Sequence, residues 1–234
     1  MAASYPMQQT VPVSALSVDS RAVFINRTYQ HLLGAIVGFA AIEVFLFTSG
    51  LAEPIARAMM SVGWLWILGG FMVVGWLASR TATQSTSLGA QYAALVAFVT
   101  AQAIIFVPML YMANAIADGV IQSAALVTLL GFAGLTAIAF VTRKDFSFLG
   151  SMLRWGFMLA LVAIVAGVIF GFQLVTFFSI AMIGLAGAAV LYDTSNVLHH
   201  YPEDRYVGAS LQLFASVATM FWYVLRLLMA LQRD

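Results

Sequence analysis

The chain has no cysteine, and only ten basic and nine acidic residues among 234. The first absence excludes a disulfide framework, a thiolate zinc site and thiol catalysis. The second excludes a soluble globule, which carries about 25% charged residues where this chain has 8%. Three histidines leave little for a histidine-held metal, and neither a metal nor a cofactor is expected. A net charge of +1 gives no basic footprint for nucleic acid. The signatures HExxH, GxSxG and the Walker loop are missing as well, and the expectation is a protein that is not an enzyme.

What is abundant is hydrocarbon: 63% of the residues are hydrophobic. Crossing a bilayer takes about 20 apolar residues. Seven runs approach that length: about Tyr29–Gly50, Val62–Ser79, Tyr92–Tyr111, Ala124–Val141, Leu149–Phe170, Leu174–Tyr192 and Val207–Leu231. The predicted fold class is an all-α integral membrane bundle. The break at residues 171–173 is the least marked, and without a turn there the count falls to six. Residues 1–27 read as a polar, disordered tail before a seven-helix domain over 28–234.

Basic residues set the orientation. Arg21, Arg27, Arg80, Arg143, Lys144, Arg154 and Arg205 fall on the N-terminal side; Arg57, Arg233 and Arg226 fall on the other. That bias predicts a cytoplasmic N-terminus and a periplasmic C-terminus.

Polar groups inside the apolar runs need a partner or a role. In the last span Gln212, Ser216, Thr219, Tyr223 and Arg226 recur at steps of four and three, so they share one helical face. The stripe should point into the bundle, either as interhelical hydrogen-bond glue or as a solvated path or sensor. It makes the last span central. Asp193, ten residues before the turn near Glu203, comes within about 5 Å of the depth of Ser216 if the two spans form an antiparallel hairpin. It is either a proton-responsive group facing the stripe or a solvated interfacial carboxylate. Glu43 lies well inside the first span, most simply paired with another polar group of the bundle. Spacings such as Gly34 with Gly38, Gly167 with Gly171, and Gly184 with Ala188 point to close helix packing.

Several stretches resemble the Bax inhibitor-1 (TMBIM) family. Thr136 to Gly150, ending in Asp145-Phe146-Ser147-Phe148-Leu149-Gly150, is similar to the family's "TxxxKKDFSFLG". Asn26-Arg27-Thr28-Tyr29 looks like its "RNTY". Phe106-Val107-Pro108 resembles its third-span "GPIL". Tyr192-Asp193-Thr194-Ser195-Asn196 is similar to its closing "YDTS" motif. The resemblance runs from about Asn26 to Asp234 and implies seven helices with the last one central. Members that act as pH-sensitive calcium leaks use two aspartates. Asp193 matches the first, but Ser216 stands where the second would be, and a serine cannot share a proton as a second carboxylate does. In this the chain looks like the bacterial YccA branch. That resemblance implies an inner-membrane protein that associates with FtsH, the membrane-anchored ATP-dependent protease, and restrains it, with the N-terminal tail as the grip. The alternative it implies is a pH-sensing calcium leak with Asp193, Ser216, Glu43 and Arg226 as the candidate residues.

Overall fold

A computed structural model of the chain describes residues 11–85, 87–171 and 175–232. They form eight α-helices: α1 (Val18–Thr48), α2 (Ala52–Ser61), α3 (Trp64–Gln84), α4 (Leu88–Ile116), α5 (Val120–Thr142), α6 (Leu149–Phe170), α7 (Val175–His199) and α8 (Tyr206–Leu231). Seven are long and apolar enough to cross a membrane. The exception is α2. Its ten residues span about 15 Å, half a hydrocarbon core. It lies with Ala52 and Ala56 buried and an exposed Arg57–Glu53 ion pair one turn apart. The chain is a multi-pass membrane bundle.

Helix ends follow local chemistry. Gly50, Gly119 and Gly171 adopt positive φ between helices, and Gly171 at φ 72° closes α6. α6 therefore stops at Phe170 and α7 begins at Val175, so the fifth and sixth spans are separate helices. The loop of residues 172–174 lies outside the described residues. Pro108 sits inside α4, where its missing N–H removes one intrahelical hydrogen bond.

α8 is buried on almost every side and packs against α1, α3, α4, α5 and α7. α4 is its most heavily buried neighbour. Phe106 of α4 is fully buried and joins the two to α1: its ring lies 5.2 Å from Phe39, 5.5 Å from Phe221 and 4.9 Å from Trp222. α6 is the outlier, with its main packing on α7 alone.

Two sequence expectations change. The first helix begins at Val18, with the Ser17 hydroxyl accepting from the Ser20 amide, so residues 18–27 are helix rather than tail. Residues 11–16 are also ordered, with Val13 fully buried. The first ten residues lie outside the described residues. Two of the glycines expected at close helix approaches, moreover, are not at one. A Cβ built at Gly34 or Gly184 meets nothing within 4 Å, whereas one at Gly208 would stand 2.5 Å from the backbone oxygen of Ala82. Backbone cannot yield as a side-chain tip can. Gly208→Ala is expected to lower stability by about 1–3 kcal/mol, read as a drop in thermal unfolding temperature in detergent, while Gly34→Ala leaves that temperature unchanged.

Candidate functional site

The site is built on the α7–α8 hairpin. Asp193 sits six residues before the end of α7 and is only 2% exposed. Its Oδ2 accepts a hydrogen bond from the Ser216 hydroxyl at 2.5 Å. A buried polar group is costly unless partnered, and here each group supplies the other's partner. Thr194 and Ser195, next in the chain, are also fully buried.

The hairpin turn is held from three sides. On one, the chain start clasps it: the Val13 amide donates to the Tyr201 carbonyl at 2.9 Å, Pro12 bridges Pro202, and an Arg21 guanidinium nitrogen donates to the Leu198 carbonyl at 2.9 Å. That last contact also satisfies a carbonyl in the final turn of α7. On the second side, the Gln91 amide of α4 donates to the carbonyls of Ser85 and Asp204 at 3.1 and 3.2 Å. On the third, the loop before α6 docks on α7. The Ser195 hydroxyl accepts from the Phe146 amide at 2.9 Å and donates to Asp145 Oδ1 at 3.4 Å. His200 Nε2 stands 3.4 Å from Asp145 Oδ2. The Ser147 backbone amide donates to Asp145 at 2.8 Å, and this bond, with the nearby histidines, holds that carboxyl below its usual range. Arg143, at φ 50°, is the one non-glycine residue with positive φ among those described, and it starts this loop. Burial pushes the Tyr201 phenol up, with Asp193 adding to the effect.

The polar stripe of α8 divides. Ser216 bonds across to α7. Thr219 turns its hydroxyl back to the Ala215 carbonyl at 2.8 Å, so it is not glue between helices. Thr219, Tyr223 and Arg226 line a cleft of about 870 Å³ between α3, α4, α6, α7 and α8. Gln212 is half-buried. The apolar face is the more deeply packed one, with Leu213, Val217, Met220 and Val224 at most 6% exposed. The stripe thus faces the side that α6 leaves open, because α6 leans on α7 and does not cover α8.

Of the expected residues, the fold brings Asp193 and Ser216 together and leaves two apart. Glu43 is buried near the far end of α1, and neither of its carboxylate oxygens has a hydrogen-bond partner among the described residues. The expected pairing of Glu43 is therefore not formed. Arg226 lies five residues from the end of α8, over the Phe178 ring at 6.0 Å. Sequence reasoning missed Gln91 and Gln102, which are buried in α4. Their spacing of eleven residues, three helical turns, puts both on one face and could have marked them.

A membrane bundle with a buried last helix, closed by a YDTS-type carboxylate and a docked DFSFLG loop, is the architecture of one family. A family model described as "Inhibitor of apoptosis-promoting Bax1" matches residues 21–233, and the chain belongs to the Bax inhibitor-1 family. Its relatives include the protein named "Modulator of FtsH protease YccA" of Escherichia coli, 29% identical over 90% of this chain and 91% of that protein. An uncharacterized protein of Pseudomonas aeruginosa is 34% identical over 51% of the chain, which spans 55% of that protein's length. The "Bax inhibitor 1" of Schizosaccharomyces pombe is 30% identical over 49% of the chain and 44% of its own length.

Removing the Ser216 hydroxyl leaves a buried carboxyl without its donor. Ser216→Ala is expected to cost about 1–3 kcal/mol, and Asp193→Asn, which keeps an acceptor oxygen, less; thermal unfolding in detergent ranks them. The Asp145 carboxyl has a lowered folded pKa, so its contribution is present above the usual carboxylate value and lost only as pH falls through the lower one. Hydrogen exchange at the Phe146 amide should stay slow and nearly constant between about pH 5 and 8 after correction for intrinsic rate, and become faster in Asp145→Asn at every pH in that range.

Proposed function

We propose that the chain is a modulator of a membrane-anchored ATP-dependent protease of the FtsH kind, binding and restraining it in the bacterial inner membrane. The observation that carries this reading is the end-to-end likeness to the E. coli protein named as a modulator of that protease, which leaves no large part of either chain unmatched. The basic residues at the N-terminal end favour a cytoplasmic N-terminus and a periplasmic C-terminus, which puts the hairpin turn on the side of the protease's ATP-driven machinery.

The grip is shorter than a 27-residue tail. Residues 11–16 lie against the hairpin turn and residues 18–27 are helix, so the grip falls on the residues before the clasp. A captured segment is ordered or extended at the moment of binding. Undocking Val13 would lengthen it up to the start of α1. The chain is expected to co-purify with FtsH in mild detergent. Deleting residues 1–10 is expected to slow its own turnover, and Val13→Asp, which frees the clasp, to speed it. Failure to co-purify, with other FtsH substrates turned over at an unchanged rate when the chain is absent, would sink the reading.

A second reading, the pH-sensing calcium leak, is favoured by one observation: a carboxyl buried against the central helix at Asp193. Ser216 in place of a second carboxyl counts against it, as does a cation, Arg226, farther along the same stripe. If the leak operates, reconstituted protein passes calcium in a pH-dependent way and Asp193→Asn abolishes the dependence; unchanged flux in that variant removes Asp193 as the sensor.

A further inference from the structure

The cleft beside α8 is a feature that the protease reading leaves unused. Its walls are apolar: Leu68 and Phe71 of α3, Phe157 and Leu161 of α6, and Met182 of α7. Its floor is not. Arg226, Tyr223 and Thr219 descend along α8 at helical spacing, and Gln102 of α4 faces them. Rise along the helices sets the depths. Arg226 is 20 residues, about 30 Å, beyond the start of α8, a full hydrocarbon thickness from the arginine-rich end. Thr219 lies about 20 Å along α8, and Gln102 about 21 Å along α4, which runs in the same direction. The cleft thus carries a cation at the membrane boundary, then a phenol, then a hydroxyl and a primary amide deeper in the apolar zone.

Two independent observations point to an occupant. Gln102 is 6% exposed, and its amide oxygen has no hydrogen-bond partner among the described residues, a costly state for a buried amide facing a cavity. Arg226 has no carboxylate within salt-bridge distance among the described residues; its guanidinium rests only on the face of Phe178. The cleft encloses about 870 Å³, enough to hold part of one amphiphile between its walls. Small-molecule sites run from about 300 to 1,000 Å³.

We propose that this cleft is a binding site for one anionic phospholipid drawn from the leaflet at the C-terminal end. The phosphodiester sits on Arg226 in charge-assisted hydrogen bonds, for which a guanidinium fork is suited. The Tyr223 hydroxyl donates just below it. The Gln102 amide N–H donates to an ester carbonyl, and an acyl chain lies along Phe157 and Leu161. The lipid completes the wall that α6 leaves open against α8. This site is independent of the protease reading.

The test is native mass spectrometry of the full chain, released from mild detergent carrying equal amounts of palmitoyl-oleoyl phosphatidylglycerol and phosphatidylcholine. The wild-type chain is expected to retain one phosphatidylglycerol with roughly tenfold preference, the worth of one charge-assisted contact. Arg226→Gln should bring the two lipids to parity, and Arg226→Lys should keep most of the preference. Ala163→Trp, on the exposed α6 face of the cleft, should block retention of either lipid without lowering the unfolding temperature. Equal retention of both lipids by the wild-type chain overturns the proposal. So does a preference that survives both Arg226→Gln and Ala163→Trp. A partner membrane protein that co-purifies with the wild-type chain and is lost in Ala163→Trp, with no lipid retained by either, also overturns it and assigns the cleft to a protein helix.

Discussion

In hydrocarbon a polar group has only the protein to turn to, and the hydrogen bond from Ser216 to Asp193 is where this chain meets that constraint most directly. The bond closes the α7–α8 hairpin, the hairpin puts α8 in the centre, and α8 is the surface on which α1, α3, α4, α5 and α7 converge. The surrounding contacts respect the same requirement. Gln91 reaches the carbonyls at the turn, Arg21 caps the end of α7, and Asp145 gathers the loop before α6. The arginine-rich end of the bundle gathers these polar contacts, although Gln91 Oε1, Thr194 Oγ1 and one guanidinium nitrogen of Arg205 have no hydrogen-bond partner among the described residues. The opposite end leaves Glu43 and Arg226 without counter-ions among the described residues.

Much of the fold was legible in the sequence because a lipid solvent makes one quantity, the length of an apolar run, decisive. Each of the seven spans exists, and most are extended by a turn or more at one end. Boundaries were harder to see because hydropathy does not register where a polar helix continues past the membrane: Val18 to Arg27 is helical through the capping bond at Ser17, a feature of hydrogen bonding. The α2 helix escaped notice for a related reason. It is amphipathic and too short to span, so it resembles a loop on any scale tuned to spanning.

Within the site, the juxtaposition of Asp193 and Ser216 was readable from rise per residue alone, since a tight hairpin fixes depth on both arms. The direction of the α8 stripe was read only in part. Periodicity identifies a face but not what covers it, and here the cover differs along its length: α7 over Ser216, a cleft over Tyr223 and Arg226. The clasp of residues 11–16 was beyond sequence reasoning. Its contacts are backbone to backbone across most of the chain, and such contacts have no residue signature.

That clasp joins residues 12–21 to the last interhelical turn, and this fixes an order of events during synthesis. Arg21 and its acceptor Leu198 are separated by 177 residues. At a synthesis rate of about 5–20 residues per second, the chain start waits roughly 9–35 seconds before its docking surface leaves the ribosome. For that interval Val13 and its neighbours lack their docking surface, and only afterwards are they shut in by the chain's own final hairpin. Docking of Pro12, Val13 and Arg21 is thus a mark that the end of α7 and the turn after it are in place.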